Sequence, residues 1–360
     1  MTSQPAPNQV LAGTRWNEHW TADLLDWADE PVGSLGEITA GSLTMNINAP
    51  LRRTGSITYH GESVAWSRYR VRPVYHWTGV DGETRSWPMG VLIPDTTGVE
   101  YTDGGETRTI DLYDKIDILS QDAFAGPYTV PEGVNIVGAV EAVISAGDPT
   151  SLHGIEPAAD VMRSPRVWEP GTTRLRVIND LLESINYAAL YTDDDGVYRA
   201  SPYRSPGARP DVHVFADDEY SIYRPEFTHE KDTYEAANRV VAIVQGDDEK
   251  PGLRAVSENR DPDSMISYQN RGRWVTRVEE GVEAANQTVL QAYADRLIQE
   301  EKTAVSKFSI SHAPIRFELG DMVGFARDTA GIRTRGSIDS VEYSFEAGAL
   351  CQTVIREVIS

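Results

Sequence analysis

The spacing of apolar residues predicts β-strands in the first third of the chain. In the segment GSLTMNINA, Leu43, Met45 and Ile47 alternate with polar side chains, which is typical of a strand with one buried face. The alternation resumes at Ile57 and Tyr59, after the turn-forming segment PLRRTG. Further strands are predicted in RYRVRPVYHW, MGVLIP, GVEYT and TRTIDLYD. Many short strands at regular spacing indicate a barrel or a sandwich.

The middle third of the chain has helical periodicity. The apolar positions of the first predicted helix are Ile136, Val140, Val143 and Ile144, and those of the second are Ile178, Leu181, Leu182 and Ile185. Thr172 or Thr173 can cap the second helix, because a hydroxyl oxygen accepts a hydrogen bond from the first helical turn. The segment AALYTDDDGVYRASPY then predicts a strand, a turn and a return strand. This region is therefore a small α+β unit, and the segment RSPGARPD after it is linker-like.

The last third returns to β-strands and contains one long helix. The predicted helix EAANQTVLQAYADRLIQEEK carries an apolar stripe of Val289, Tyr293 and Leu297 and a charged opposite face. Strands are predicted in EAANRVVAIVQG, SKFSISHAP, GDMVGFAR, GIRTRGSIDSVEYSF and ALCQTVIREV. The chain therefore runs from β to α+β and back to β with one helix.

Composition narrows the functional classes. The 360 residues suggest two or three domains, and the net charge of −22 argues against nucleic-acid binding as the main activity. The single cysteine, Cys351, excludes an intramolecular disulfide and a cysteine-rich zinc site, and its apolar surroundings predict a small buried hydrophobe. The N-terminus lacks a signal-peptide pattern, and no apolar run reaches transmembrane length. Its Pro, Gln and Asn residues indicate a flexible or docking arm.

Three consecutive aspartates, Asp193 to Asp195, precede Gly196 and raise the question of a metal site. An EF-hand loop needs alternating oxygen ligands and a glutamate at its twelfth position, where this chain has Arg204. Consecutive side chains on an extended backbone also point to opposite faces, so three of them do not converge on one ion. Asp-Gly between two β-segments is a hairpin signal, so we predict a turn at these residues.

No catalytic, cofactor-binding or metal-binding residue is predicted. The chain lacks the G-x-S-x-G, H-E-x-x-H and P-loop patterns. The histidines are scattered along the chain at His19, His60, His76, His153, His213, His229 and His312. A pair of glycosidase carboxylates is defined by distance in three dimensions, and a chain with 55 acidic residues leaves such a pair open.

Two groups of side chains have more than one interpretation. Arg68, Arg70 and Arg72 form a row on one predicted strand, for which a solvated face is favoured over a site for an acidic partner or phosphate. Three tryptophans near the start of the chain are Trp16, Trp20 and Trp27. We interpret them as core or subunit interface rather than as a carbohydrate-binding surface, because tryptophan buries a large area at interfaces.

The order of these parts resembles the tail hub proteins of long-tailed bacteriophages, also called minor tail or baseplate hub proteins. The first β region resembles them through GSLTMNINAPLRRTGSITY and RTIDLYDKIDILSQD. The most specific similarity is the helix, hairpin and G-V-Y-R-A-x-P-Y order of TTRLRVINDLLESINYAALYTDDDGVYRASPY, which is similar to the inserted domain of such hubs. The last block, from VSENRDPDSMISY to GDMVGF and the final strands, resembles their second tube-forming domain.

The resemblance implies a mainly β fold with an α+β insert, in which two barrel-like tube-forming β domains flank a small α+β domain. The expected domains are 1–125, a tube domain with an N-terminal docking arm; 126–215, the inserted α+β domain; and 216–360, a second tube domain with one long helix. It also implies a structural virion protein, without cofactor or membrane anchor. Because the sequence ends at Ser360, directly after a predicted strand, we expect no appended enzyme.

The implied assembly is a homotrimer at the distal end of the tail, made in the host cytoplasm. Two barrel-like domains per chain give a pseudo-sixfold ring that adapts the sixfold tube to a threefold tip and lets DNA pass in transit. The implied neighbours are the distal tail protein ring above, the end of the tape-measure protein in the lumen, and tail-tip or receptor-binding proteins below. An acidic lumen is a further hypothesis, since like charges would keep DNA from sticking.

Two other functions stay open. A host-surface carbohydrate-binding tail-tip protein would use the Trp-rich segment near the N-terminus. A cell-wall hydrolase of the tail tip would bring carboxylates with perturbed pKa values together in a cleft.

Overall fold

The computed structural model describes residues 17–358 except 80–81, 103–104, 206, 208, 219–221, 232, 235, 247–250, 283, 285 and 305. The predicted docking arm and Trp16 lie outside these residues. The fold is mainly β, as predicted, with 46% strand and 17% helix.

The main elements alternate in three blocks along the described chain. The first strands are β1 (Asn17–Leu25), β2 (Pro31–Ser34), β3 (Glu37–Asn46), β4 (Arg53–His60), β5 (Arg70–Thr78), β6 (Thr84–Pro88), β7 (Leu92–Thr102) and β8 (Gly105–Asp114). The middle block contains α1 (Asp117–Gln121), β9 (Tyr128–Val130), α2 (Ile136–Gly147), β10 (His153–Ile155), β11 (Arg166–Trp168), α3 (Arg174–Glu183), β12 (Tyr191–Thr192) and β13 (Tyr198–Ala200). The last block contains β14 (Asp211–Ala216), β15 (Tyr223–Lys231), β16 (Arg239–Val244), β17 (Leu253–Glu258), α4 (Tyr268–Arg271), β18 (Thr276–Glu280), α5 (Gln287–Ala304), β19 (Ser306–His312), β20 (Met322–Arg327), β21 (Ile332–Ser344) and β22 (Cys351–Glu357).

A single fourteen-stranded sheet connects the two ends of the chain. Its main path runs β15-β19-β22-β21-β3-β4-β8-β7-β5-β1-β2, with β20 and β14 branching from β21 and β6 pairing with β5. The sheet is open, and no closed barrel forms among the described strands. Both expected barrel-like regions are therefore parts of one continuous sheet.

The sheet contains the same strand connectivity twice. In the first six-strand unit (β1, β3, β4, β5, β7, β8), the pairing order is β1-β5-β7-β8-β4-β3. In the second six-strand unit (β14, β15, β19, β20, β21, β22), the order is β14-β20-β21-β22-β19-β15, which matches it strand for strand along the chain. One difference is that β1 is antiparallel to β5, whereas β14 is parallel to β20. The two units join where β3 pairs with β21.

Both six-strand units bury their inner faces in one hydrophobic core. Leu43, Met45, Ile57 and Tyr59 are buried there, as the alternation predicted. Trp20 of the first unit stacks on Phe345, just after β21, with ring centroids 4.3 Å apart. Alternating aromatic and β-branched side chains thus hold the two units on a common apolar layer.

A first insert with its own core follows β8, and its core residues lie between Ile116 and Ala200. Its helix α2 begins at Asn135, whose side-chain oxygen accepts a hydrogen bond from the Gly138 N–H. Helix α3 is capped by Thr173, one of the two predicted caps, and its predicted apolar stripe is buried. The β12–β13 hairpin forms as predicted.

A second insert between β15 and β19 was not predicted as a separate unit. Strands β17-β16-β18 form a small sheet, and α5 packs on one face of it. The predicted stripe of α5 is correct, because Tyr293 and Leu297 are buried and Val289 packs against the same core. The sequence pattern places this helix correctly but does not reveal that it closes a third core.

Candidate functional site

A buried ion-pair cluster lies where the main sheet meets the first insert. Arg70 on β5 donates hydrogen bonds to Asp29 Oδ1 at 2.6 Å and to Asp148 Oδ1 at 2.9 Å. Lys115, directly after β8, pairs with Asp29 and donates to the carbonyl oxygen of Gly196 at 2.7 Å. Two cations thus face two carboxylates away from water, which offsets the cost of burying each charge.

The first insert supplies half of this cluster. Asp148 follows α2, and Gly196 lies in the β12–β13 hairpin, so both reach the sheet from the insert. Asp29 comes from the turn between β1 and β2, where it adopts a positive φ of 63°. Burial lowers the pKa of Lys115, and the hydrogen bond to Asp29 partly opposes that shift. The cluster fixes the insert against the end of the sheet.

The prediction of a solvated arginine row is wrong for Arg70, which is 1% exposed. The first insert covers the outer face of β5 at this position, so the acidic partner of Arg70 is internal. Arg72 is half-buried and pairs with Asp23 at 2.8 Å, and Arg68 is exposed. Arg68 ends a 3-10 turn before β5 and does not lie on the strand, and the two arginines that do, Arg70 and Arg72, have different environments.

The middle aspartate of the triplet has a second role. The turn prediction is confirmed: the Asp193 carboxylate accepts hydrogen bonds from the backbone N–H groups of Asp195 and Val197. Asp194, however, is 4% exposed and pairs with Arg53 at 2.7 Å and with Arg316 at 2.9 Å. Because Arg53 begins β4 and Arg316 lies between β19 and β20, Asp194 ties the insert to both six-strand units. No group of three potential metal ligands occurs among the described residues.

A charged cleft of about 680 Å³ lies beside this junction, where both inserts meet the main sheet. Its lining contains as many arginines as carboxylates. The arginines are Arg52, Arg53, Arg204, Arg209, Arg296 and Arg356, and the acids are Glu156, Asp193, Glu300, Glu318, Asp321 and Asp339. Burial raises the pKa values of Glu300, Glu318 and Asp321. Acidic groups with raised pKa values in a cleft are what a cell-wall hydrolase would require.

The aromatic rings of the cleft are covered by guanidinium groups. Arg52 lies over the ring of Tyr191 at 5.3 Å from its centroid, and Arg296 lies over Tyr203 at 5.4 Å. A sugar ring stacks on an open aromatic face, and one face of each of these two rings is already occupied by a guanidinium group. The cleft therefore combines acidic groups that have raised pKa values with aromatic rings that already contact arginines.

The tryptophans, the cysteine and the histidines considered as candidate functional residues do not lie together. Trp20 belongs to the core, as one interpretation predicted, and Trp27 is 51% exposed with the Arg70 guanidinium 5.7 Å from its ring. Cys351 is buried, as predicted, and burial raises the pKa of its thiol. His213 and His312 are both buried in the second six-strand unit, where burial lowers the pKa of each imidazole to about 4.

The fold of this chain is similar to the folds of solved phage tail proteins, as the sequence resemblance predicted. A tail protein from Neisseria meningitidis has a TM-score of 0.68 at 14% identity, over 95% of this chain and 97% of that chain. The 43 kDa tail protein of prophage MuSo2 from Shewanella oneidensis has a TM-score of 0.62 at 12% identity, over 94% and 98%. The E. coli c3393 protein, a type VI secretion component with structural similarity to T4 bacteriophage tail proteins gp27 and gp5, has a TM-score of 0.52 at 10% identity, over 96% and 77%.

Similarity at these identities concerns the fold. No protein-family model matches the sequence. No curated protein matches it either. Among the described helices, none combines the length and the apolar character needed to span a bilayer.

Proposed function

We propose that this chain is a structural protein of a phage tail that forms a trimeric hub at the distal end of the tail tube. The repeated six-strand unit is the observation that carries the proposal. The β3–β21 junction already joins two such units within one chain, because the edge strand β3 pairs with the part of β21 that β20 leaves free. Three chains would therefore supply six nearly equivalent units, enough to continue a sixfold tube.

The partners follow from that position. The ring would stack below the distal tail protein ring, hold the end of the tape-measure protein in its lumen, and bind tail-tip or receptor-binding proteins below. DNA would pass through the lumen in transit, and the protein would reach the virion after synthesis in the host cytoplasm. The expected domains 1–125, 126–215 and 216–360 remain the proposed division, except that β14 (Asp211–Ala216) belongs with the second six-strand unit, and the second insert is an addition to the last domain.

The buried ion pairs support a structural rather than a catalytic use of the charged junction. Arg70, Lys115 and Asp194 all have partners within the chain, which suits a joint that must stay rigid under load. The raised pKa values of Glu318 and Asp321 favour the second candidate, a cell-wall hydrolase. The guanidinium groups over Tyr191 and Tyr203 favour the structural role.

Cryo-electron microscopy of intact particles tests the hub directly. We expect three copies in a ring at the distal end of the tube, each contributing two units to its wall. Monomers, or copies in peripheral spikes, would refute the hub. Incubation of the purified chain with peptidoglycan tests the second candidate. We expect no soluble fragments, and release that Glu318→Gln abolishes would establish the hydrolase instead.

A further inference from the structure

Strands β15 and β7 of the main sheet have unpaired edges among the described residues, as do the end strands β2, β6 and β14, but only β15 and β7 correspond through the repeat to strands that pair with each other. Strand β15 pairs only with β19, and its residues are exposed except for Tyr223 and Phe227. Strand β7 pairs with β8 on one side, but on its other side it meets β5 only at Leu92. The open part of β7 carries two exposed apolar side chains, Val99 at 40% and Tyr101 at 74%. An edge with such side chains associates with another chain unless something covers it.

The repeated connectivity relates these two edges to a junction that already exists. In the repeat, β15 corresponds to β3 and β7 corresponds to β21. Strand β21 pairs with β22 on one side, while β20 and then β3 share its other side. Strand β7 pairs with β8 in the same manner, and β5 takes the place of β20. The place that β3 occupies on β21 is the one left open on β7.

We propose that β15 of one copy pairs antiparallel with β7 of the next copy and reproduces the β3–β21 junction between chains. The occupant of both edges is thus a second copy of this chain. The inference rests on the proposed ring and names the strands that close it. Such a contact is head-to-tail, so it closes only when the rotation per chain divides a full turn.

The register follows from the bulge that each unit contains. One bulge lies between Pro94 and Thr97 in β7, and the corresponding one lies between Ile338 and Ser340 in β21. Aligning the bulges places Glu100 at the position of Ser344. The neighbouring ladders are Ser42–Ser56–Asp111 in the first unit and Thr228–Ser309–Val354 in the second.

Asp111 in the first unit and Val354 in the second unit lie opposite the bulge of their unit, so these two residues are equivalent. The ladders that contain them then make Thr228 equivalent to Ser42. Ser344 is opposite Ser42 within the chain. Glu100 is therefore expected opposite Thr228 of the next copy, with Tyr101 opposite Phe227.

This pairing suits the charge and the exposed surface of the chain. Copies with a net charge of −22 repel each other, so association needs contacts that do not depend on opposite net charge. Backbone hydrogen bonds along two open edges provide them, and the opposed aromatic side chains Tyr101 and Phe227 add a cross-strand pair. The contact also covers the most exposed apolar side chain of β7.

Paired cysteine substitutions in the full chain test the register. The in-register variant is Glu100→Cys with Thr228→Cys, and the matched control is Gly98→Cys with Thr228→Cys, displaced by two residues. A Cβ at Gly98 meets no atom within 4 Å, and native Cys351 is buried, so neither disturbs the comparison. Directly opposed Cβ atoms lie about 5 Å apart and displaced ones about 7–8 Å, whereas a disulfide needs about 4 Å.

After mild oxidation, we expect about tenfold more intermolecular disulfide in the in-register variant than in the control, on non-reducing gels. Mass photometry of the unmodified chain is measured in parallel. A trimer without this preference overturns the proposed pairing but leaves the hub intact. A chain that neither cross-links nor forms a trimer overturns both. A trimer with the preference supports both.

Discussion

The two buried histidines make the second six-strand unit sensitive to acid. His213 is 5% exposed, and neither of its ring nitrogens has a hydrogen-bond partner among the described residues. It lies against Phe215, with ring centroids 4.6 Å apart. His312 is fully buried, with its Nε2 2.7 Å from Thr353 Oγ1. Burial lowers the pKa of both groups from 6.5 to about 4.

The sign of the effect follows from proton binding. Between pH 6.5 and 4, the unfolded chain holds protons on both imidazoles and the folded chain does not. Stability is therefore complete above about pH 6.5 and falls as the pH drops towards 4. For His213, a pKa lowered from 6.5 to about 4 corresponds to about 3 kcal/mol of stability lost over this range, and His312 acts in the same direction.

The variant His213→Phe isolates one of these contributions, because phenylalanine suits the aromatic surroundings and does not titrate. We expect urea unfolding of the variant to lose about 3 kcal/mol less than the parent chain between pH 6.5 and 4. At pH 7 the variant should be more stable by about 1–3 kcal/mol, since it removes buried polar atoms without partners. His60→Gln, at an exposed site, is the matched control for removal of a histidine. Equal pH slopes for His213→Phe and the parent would refute this account.

Three further changes test the junction between the sheet and the first insert by chemical denaturation. Arg70→Met should lower the free energy of unfolding by about 3–5 kcal/mol, because it leaves buried carboxylates unpaired. Arg72→Met, at a half-exposed ion pair, should lower it by less than about 1 kcal/mol. Equal losses in the two variants would contradict the buried cluster. Asp194→Asn should likewise lower the free energy of unfolding by about 3–5 kcal/mol, whereas Asp195→Asn, at an exposed side chain, should leave it almost unchanged. A large effect of Asp195→Asn would argue against Asp194 as the aspartate that holds the junction. Gly196→Ala should destabilise the chain by about 1–3 kcal/mol because its φ is 80° and a Cβ would lie 2.5 Å from Val91; an unfolding midpoint like that of the parent would exclude this strain.

Local patterns predicted the elements of this fold because each element has a one-sided environment. Leu43 and Met45 face the core and their neighbours do not, so alternation was sufficient to find β3. Helix α3 was equally clear, and its cap, Thr173, is one of the two threonines that the sequence offered. In both cases the information lies within about ten residues of sequence.

The charged junction could not be predicted because its members are far apart in the sequence. Arg70 and Asp148 are separated by 78 residues, and Arg53 and Asp194 by 141. The alternation along β5 places Arg70 on the outward face of the strand. That face is buried only because the first insert packs against it. A sequence signal existed at Asp194, within a recognised turn, but a turn aspartate and a buried ion-pair partner look the same without tertiary contacts.

The second insert was missed for a related reason. Strands β15 and β19 pair directly, although the intervening chain folds into β16–β18 and α5 with a separate core. From the sequence alone, α5 was assigned to the second tube domain, because helical periodicity does not indicate which strands the helix packs against.

In the proposed trimer, the two inserts would account for a change of symmetry built from nearly equivalent units. The first insert follows the last strand of the first unit, and the second insert lies between β15 and β19 of the second unit. The corresponding connection in the first unit, between β3 and β4, is a short turn. In the proposed ring, the six units would therefore present a similar sheet to the tube but alternate in what they carry outside it. A neighbouring protein that binds only the sheets would find six similar binding sites on the ring. A neighbouring protein that binds one of the inserts would find three.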